Sequence, residues 1–246
     1  MVNKQNILNA QSPAALAEEY LVKSIWQKYY PAGSDLPAER ELAEKIGVTR
    51  ATLREVLQRL ARDGWLTIQH GKPTKVNDIW QTAGPNILAT LISLDPSLLP
   101  QIINNVVTLR TQMGTYYIPQ AVEYNGQQSL KLFASLPYLE NTAQAYANFD
   151  YELYRGFTFL ADKPVYGLIL NSFKNLYLQV ASYFFKEENA RKLTLKFYQD
   201  LSKCCEQGDA KKATKILQEN SKHNTERWHE MLEILAKSNN IPEIDL

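Results

Sequence analysis

Two short helical patterns hinged on a glycine, a small strand pair directly after them, and helical periodicity from there onward predict a mainly α protein. Residues 1–78 read as a winged helix-turn-helix, and residues 79–246 read as an all-helical bundle. Ser12-Pro13 is an N-cap followed by proline at the first helical position. The helix it starts is predicted to reach about Tyr29, with Leu16, Tyr20, Leu21 and Ile25 at helical spacing. Pro31, Gly33 and Pro37 form a turn-rich loop. The next helix, AERELAEKIG, stops at Gly47, a residue suited to a left-handed stop. Thr49 caps the helix that follows, which ends at Gly64. Its Leu53, Val56, Leu57 and Leu60 recur at i, i+3, i+4 and i+7 and make one buried stripe. Leu42, Ala43 and Ile46 of the preceding helix face the same core, so the pair is a helix-turn-helix. Trp65 to Ile68 and Thr74 to Val76 then read as two short strands joined by a turn at His70-Gly71-Lys72-Pro73.

From about Trp80 the pattern is helical. Breaks fall at Asp95-Pro96, Tyr124-Asn125-Gly126, Pro137, Asp162-Lys163-Pro164 and Gly208-Asp209, which gives six or seven helices. The boundary between the two domains is predicted near Asn77 to Gly84.

Hydrophobic residues make up 45% of the 246, enough for real cores, and a 22% charged fraction argues against general disorder. The two cysteines, Cys204 and Cys205, are adjacent and unsuited to an ordinary disulfide, which points to a reducing compartment. The opening MVNKQNILNAQSP lacks the apolar core of a signal peptide. NILATLISL, from Asn86 to Leu94, is too short to span a bilayer. A soluble, cytoplasmic protein with no membrane association is expected. No G-x-S-x-G, P-loop, G-x-G-x-x-G or paired-cysteine zinc motif is present, so nothing in the chain points to an enzyme.

A net charge of +1 hides a local imbalance. Between Arg40 and Lys75 lie Arg40, Lys45, Arg50, Arg54, Arg59, Arg62, Lys72 and Lys75, against Glu41, Glu44, Glu55 and Asp63. Each of these charges alone has a plain alternative as ordinary solvated surface. Together with a basic hairpin tip they suit double-stranded DNA: the second helix enters the major groove and the wing meets the minor groove. Arg50 and Arg54 sit in the first turns of the reading helix, and arginine pairs bidentately with guanine O6 and N7. Thr49 and Thr52 are short donors at the helix N-terminus, suited to phosphate oxygens. Arg40, at the start of the preceding helix, is placed to reach backbone or base.

The run LPAERELAEKIGVTRATLREVLQRLARDGWLTIQHGKPTKV resembles the DNA-binding domain of the GntR family of bacterial repressors. LARDGWLTIQHGKPTKVN and AQSPAALAEEYLVKSIW narrow the resemblance to the family's acyl-CoA-responsive regulators of fatty-acid metabolism. It implies that Arg40, Arg50 and Arg54 read bases and that Thr49, Thr52, His70, Gly71 and Lys72 complete the DNA contact. Ala51 stands where similar proteins carry threonine, which removes at most one backbone contact.

An all-helical second domain fits that branch. Many of its relatives hold a metal through one aspartate and three histidines. Here only His223 and His229 follow residue 80, so that site cannot be assembled and no metal or resident cofactor is expected. The resemblance of DYELYRG, PVYGLILNSFKNLY and ERWHEM implies a long-chain acyl-CoA as effector instead. Arg110 then lies near the CoA end and Trp228 near the acyl chain, with Tyr177 and Phe184 in the ligand site. Ser221 and Asn224 stand where relatives carry glycine and serine, so both enlarge side chains beside the acyl path. Most aromatic residues here have core packing as their first explanation. A homodimer reading a palindromic operator is expected, because one recognition helix covers only a few base pairs. The resemblance further implies repression of fatty-acid degradation, activation of unsaturated fatty-acid synthesis, and release from DNA when acyl-CoA re-sets the linker. Two other readings stay open. One is a family repressor that senses a free fatty acid or organic acid; the other is an acyl-CoA-binding protein or enzyme whose helix-turn-helix is incidental.

Overall fold

A computed structural model describes the backbone of residues 12–238 and the side chains of 12–224 and 226–228. The chain divides into two compact units, one ending at Ile87 and the other beginning at Leu88.

In the first unit, α1 (Pro13–Trp26) starts where Ser12 Oγ accepts the Ala15 amide at 3.1 Å. It buries Ala17, Leu21, Val22, Ser24 and Ile25, a stripe turned by one residue from the expected one, so Leu16 is left 42% exposed. The helix ends three residues before Tyr29. α2 (Glu39–Ile46) closes on Gly47 in the left-handed region (φ 82°), and α3 (Arg50–Arg62) begins on the Thr49 cap. α3 buries Leu53, Val56, Leu57 and Leu60, the four residues of the predicted stripe, against α1 and α2.

The wing is shorter in its ladder and wider in its sheet than the sequence suggests. β1 (Leu66–Thr67) pairs antiparallel with β2 (Lys75–Val76), Leu66 opposite Val76 and Thr67 opposite Lys75. Asp35 bridges to Lys75 from the other side, with Leu36 N donating to Thr74 O at 2.8 Å and Val76 N to Ser34 O at 2.9 Å. The stretch between Pro31 and Pro37, predicted as a plain loop, thus covers the free edge of β2 and satisfies its backbone.

After the wing the chain is fastened to the end of α3. The Gly64 carbonyl accepts Asn77 Nδ2 at 3.0 Å and Thr82 Oγ1 at 2.7 Å, and Asp63 accepts Asn86 Nδ2 at 3.0 Å. The short helix α4 (Ile79–Thr82) lies directly against Gly64, whose φ is 90°. A Cβ at Gly64 would stand 2.6 Å from Thr82 O and 2.7 Å from Ala83 Cα.

The second unit contains seven α-helices among the described residues: α5 (Leu88–Leu94), α6 (Leu99–Leu130), α7 (Ala143–Leu160), α8 (Pro164–Ser172), α9 (Lys174–Phe184), α10 (Glu188–Gln207) and α11 (Ala210–Ser238). α6 is the spine; it packs on α7, α10 and α11, while α7 also packs on α8 and α9. The break predicted at Tyr124-Asn125-Gly126 is a kink inside α6, where Asn125 leaves helical angles (φ −137°, ψ 38°). Its amide side chain donates to Leu160 O at 2.6 Å, and Ser129 Oγ takes up the Ala121 carbonyl at 3.1 Å. The division of α8 from α9 at Phe173 carries no sequence signal of glycine or proline. Phe173 is buried there, and Ser172 Oγ returns to the Ile169 carbonyl at 2.6 Å. Among the described residues no helix is long and apolar enough to cross a membrane.

Gly64→Ala combines a left-handed backbone with a Cβ pressed onto Thr82 and Ala83. It should cost the first unit about 1–3 kcal/mol, read as a lower urea midpoint of the full-length protein.

Candidate functional site

Two surfaces hold the residues of interest, one in each unit. In the first unit the Thr49 oxygen accepts the Thr52 amide at 3.1 Å and lies 2.9 Å from the Thr52 hydroxyl. The cap thereby satisfies an orphan donor of α3 while a threonine hydroxyl proton remains to point outward. Arg50 and Arg54 leave the helix on its exposed face. Arg54 is not free: its Nη2 and Nε lie 2.9 and 3.3 Å from one oxygen of Glu39, the first residue of α2. That hydrogen-bonded carboxylate raises the Arg54 pKa above its ordinary value. Exposed pairs of this kind are weak, so the guanidinium can swing away to another acceptor. Arg40 makes a similar exposed pair with Glu44 at 3.1 Å. His70, Gly71 and Lys72 form the exposed tip of the wing, turned by the Lys72 amide bond to Gln69 O at 3.2 Å.

Two other cations of the same stretch are engaged by neighbours within the unit. Arg59 is half-buried and ion-paired with Glu18 of α1. Lys45 donates to Tyr29 Oη at 2.9 Å and sits 4.6 Å from the Tyr29 ring centroid. Arg40, Arg50, Arg54, Arg62 and the wing residues Lys72 and Lys75 are exposed, so the stretch keeps positive charge on its outer surface.

In the second unit a half-open pocket lies among α6, α7, α9, α10 and α11. Arg110, Tyr177, Phe184, Asn224 and Trp228 all line it; Ser221, one turn before Asn224 on α11, is not among its lining residues. His223 is exposed, and the side chain of His229 lies outside the described residues. Val106, Val180 and Phe185 make most of the rest of the wall apolar, and Trp228 stacks on Phe184 with centroids 5.2 Å apart.

Sequence reasoning missed the group at the polar end of this cavity. Arg110 Nη2 is ion-paired with Asp150 Oδ2, and Arg110 Nε donates to Tyr177 Oη at 2.5 Å. The Tyr177 hydroxyl donates to Asp150 Oδ2 at 2.5 Å, and Tyr198 Oη donates to Asp150 Oδ1 at 2.8 Å. The guanidinium also lies 3.6 Å over the centre of the Tyr154 ring. Gly114, one turn along α6 from Arg110, makes room for that ring, since a Cβ there would stand 2.7 Å from Tyr154 Cε1. Burial works against a charged Arg110, but the Asp150 carboxylate holds its pKa well above the ordinary value. Burial and the Asp150 charge push the Tyr177 and Tyr198 phenols well up. A signal for Asp150 existed: it is a lone carboxylate on the α7 face that also carries Tyr146, Tyr151, Tyr154 and Phe157. Among the described residues no group of three or more histidine, cysteine or acidic side chains is placed to hold a metal ion.

Comparison with known proteins adds to this geometry. The family model for the bacterial regulatory proteins of the gntR family matches residues 13–76, and that for the FadR C-terminal domain matches residues 77–240. The chain is 55% identical to the fatty acid metabolism regulator protein of Haemophilus influenzae strain PittEE, over 97% of this chain and 99% of that one. It is 53% identical to the protein of the same name in Pasteurella multocida strain Pm70, over 94% and 96%, and 49% identical to that of Proteus mirabilis strain HI4320, over 92% and 94%.

Two outcomes follow from the buried group. Asp150→Asn leaves a buried guanidinium without its counter-charge and should lower stability by about 3–5 kcal/mol, seen as a fall in the thermal midpoint. The raised phenols give a sign for alkali. Past pH 10, the ordinary phenol value, unfolded Tyr177 and Tyr198 lose their protons while the folded ones keep them, so stability should fall as pH rises further. Tyr198→Phe should make that fall shallower in pH-dependent unfolding.

Proposed function

The chain belongs to the GntR family of bacterial regulatory proteins, in the branch with a FadR C-terminal domain, and from that premise we propose a DNA-binding regulator of fatty-acid metabolism whose effector is a long-chain acyl-CoA. The observation that carries the effector reading is the gathering of Arg110, Tyr177, Phe184, Asn224 and Trp228 around one cavity with largely apolar walls. A long hydrocarbon tail needs such walls, and burying it supplies the binding energy. Membership in a family of transcription regulators supports a non-enzymatic role. The absence of a membrane-spanning helix among the described residues is compatible with work in the cytoplasm.

DNA reading falls to Arg40, Arg50 and Arg54 at base edges, with Thr49, Thr52, His70, Gly71 and Lys72 on backbone and minor groove. Two copies of the chain related by a two-fold axis read the two halves of a palindrome. Ligand controls the equilibrium only by preferring the arrangement that does not fit DNA. The cavity supplies a physical basis for that preference. Arg110, Asp150 and Tyr177 sit in its wall, so a tail that fills the space competes with the packing of the buried charges, and α6, α7, α9 and α10 move together or not at all. Arg110 is already neutralised by Asp150, so the CoA phosphates belong outside this group, with the acyl portion inside.

The test is a titration of palindromic operator DNA at fixed salt, with and without hexadecanoyl-CoA. The reading expects tight binding that the thioester abolishes. Arg50→Ala should cost about 1–3 kcal/mol of operator affinity and relax specificity at one base pair. Lys72→Ala should weaken all sequences alike and reduce the salt slope by about one. Operator binding untouched by Arg50→Ala would remove the DNA-reading assignment, and binding that ignores hexadecanoyl-CoA would remove the effector.

A further inference from the structure

α11 lays Asn220, Asn224 and Trp228 along one wall of the cavity, each one helical turn from the next. At 1.5 Å per residue the row is about 12 Å long. Its ends differ in chemistry. Trp228 is stacked on Phe184 beside Val180, an apolar end. Asn220 and Asn224 present primary amides, and Thr194 of α10 adds a hydroxyl to the same cavity although the residue is only 4% exposed. None of these three side chains has a hydrogen-bond partner among the described residues. The neighbouring polar group differs in this respect, because Arg110, Asp150 and Tyr177 are matched to one another. The cavity therefore has one polar set closed on itself and one that is open.

A plain hydrocarbon chain drawn past the open set displaces its water and returns no hydrogen bond, which is unfavourable for buried amides and hydroxyls. A site with such groups prefers a ligand carrying a matching oxygen over the analogue that lacks it. We propose that Thr194, Asn220 and Asn224 select acyl thioesters bearing an oxygen on the chain, of the hydroxyacyl class, over the saturated chain of equal length. Because the row runs from amide to indole, the oxygen lies toward the thioester and the unsubstituted tail toward Trp228. A hydroxyl suits this place better than a ketone, since it donates to an amide oxygen and accepts from an amide N–H or the Thr194 hydroxyl. The proposal rests on the reading of the cavity as an acyl-CoA site.

Calorimetric titration of the full-length protein with hexadecanoyl-CoA and 3-hydroxyhexadecanoyl-CoA tests it. The hydroxylated thioester should bind about tenfold more tightly. Thr194→Val and Asn224→Leu, each first checked for cooperative thermal unfolding, should bring the two affinities to within about twofold, chiefly by weakening the hydroxylated ligand. Equal affinities in the unaltered protein overturn the proposal and leave the acyl-CoA reading standing. A preference that survives both substitutions also overturns it, because the discriminating group then lies elsewhere. If neither thioester binds, the acyl-CoA reading fails and the proposal fails with it.

Discussion

Arg110 from α6 and Asp150 from α7 meet in the interior of the second unit, and two tyrosine hydroxyls, one from α9 and one from α10, complete the bonds that the pair needs. Charges removed from water are tolerated only where close geometry and further hydrogen bonds compensate them. This condition ties four helices together. If one of them slipped by a turn, a charge or a hydroxyl would be left buried without a partner. The tie also sets the character of the cavity beside it, whose wall contains an arginine and an aspartate and is nevertheless close to neutral. Gly114 belongs to the same construction, because the Tyr154 ring under the guanidinium occupies the space a side chain would take.

The first unit divides its charges by a comparable economy of place. Basic residues recur along the second and third helices, but their neighbours assign them different work. Arg59 locks α3 to α1 through Glu18, and Lys45, at the surface, is held by Tyr29. The other basic residues of the stretch are exposed, which gives a local excess of positive charge on a chain whose formal total is +1. A field of this kind attracts a polyanion through local density, with no need for net charge.

The legible parts of the molecule were those governed by short-range rules. The caps at Ser12 and Thr49, the glycine stop at Gly47, the stripe in α3 and the turn at the wing tip follow from propensities that act over a few residues. The extended stretch at Asp35 pairs with a strand forty residues later in the chain, and the separation of α8 from α9 depends on where Phe173 finds its core; neither is encoded locally. The exposed basic residues of α2, α3 and the wing tip were readable from charge and position. The cavity residues came from family resemblance, because an arginine on α6 and a tryptophan on α11 share no periodicity. Asp150 and Tyr198 escaped because their role exists only once four helices are assembled, although an aspartate within an otherwise aromatic helix face was a visible irregularity.

The stitching of residues 77–86 onto the end of α3 bears on mechanical slack. A wing followed by loose coil would let any twist arriving from the C-terminal side dissipate in freely rotating backbone. Here Asn77, Thr82 and Asn86 each hold the Asp63-Gly64 corner, and α4 packs against the glycine itself. The first unit thus ends as a stiff handle on its reading helix. Residues 77–86 and the C-terminal end of α3 are joined as one piece by the hydrogen bonds of one carbonyl and one carboxylate.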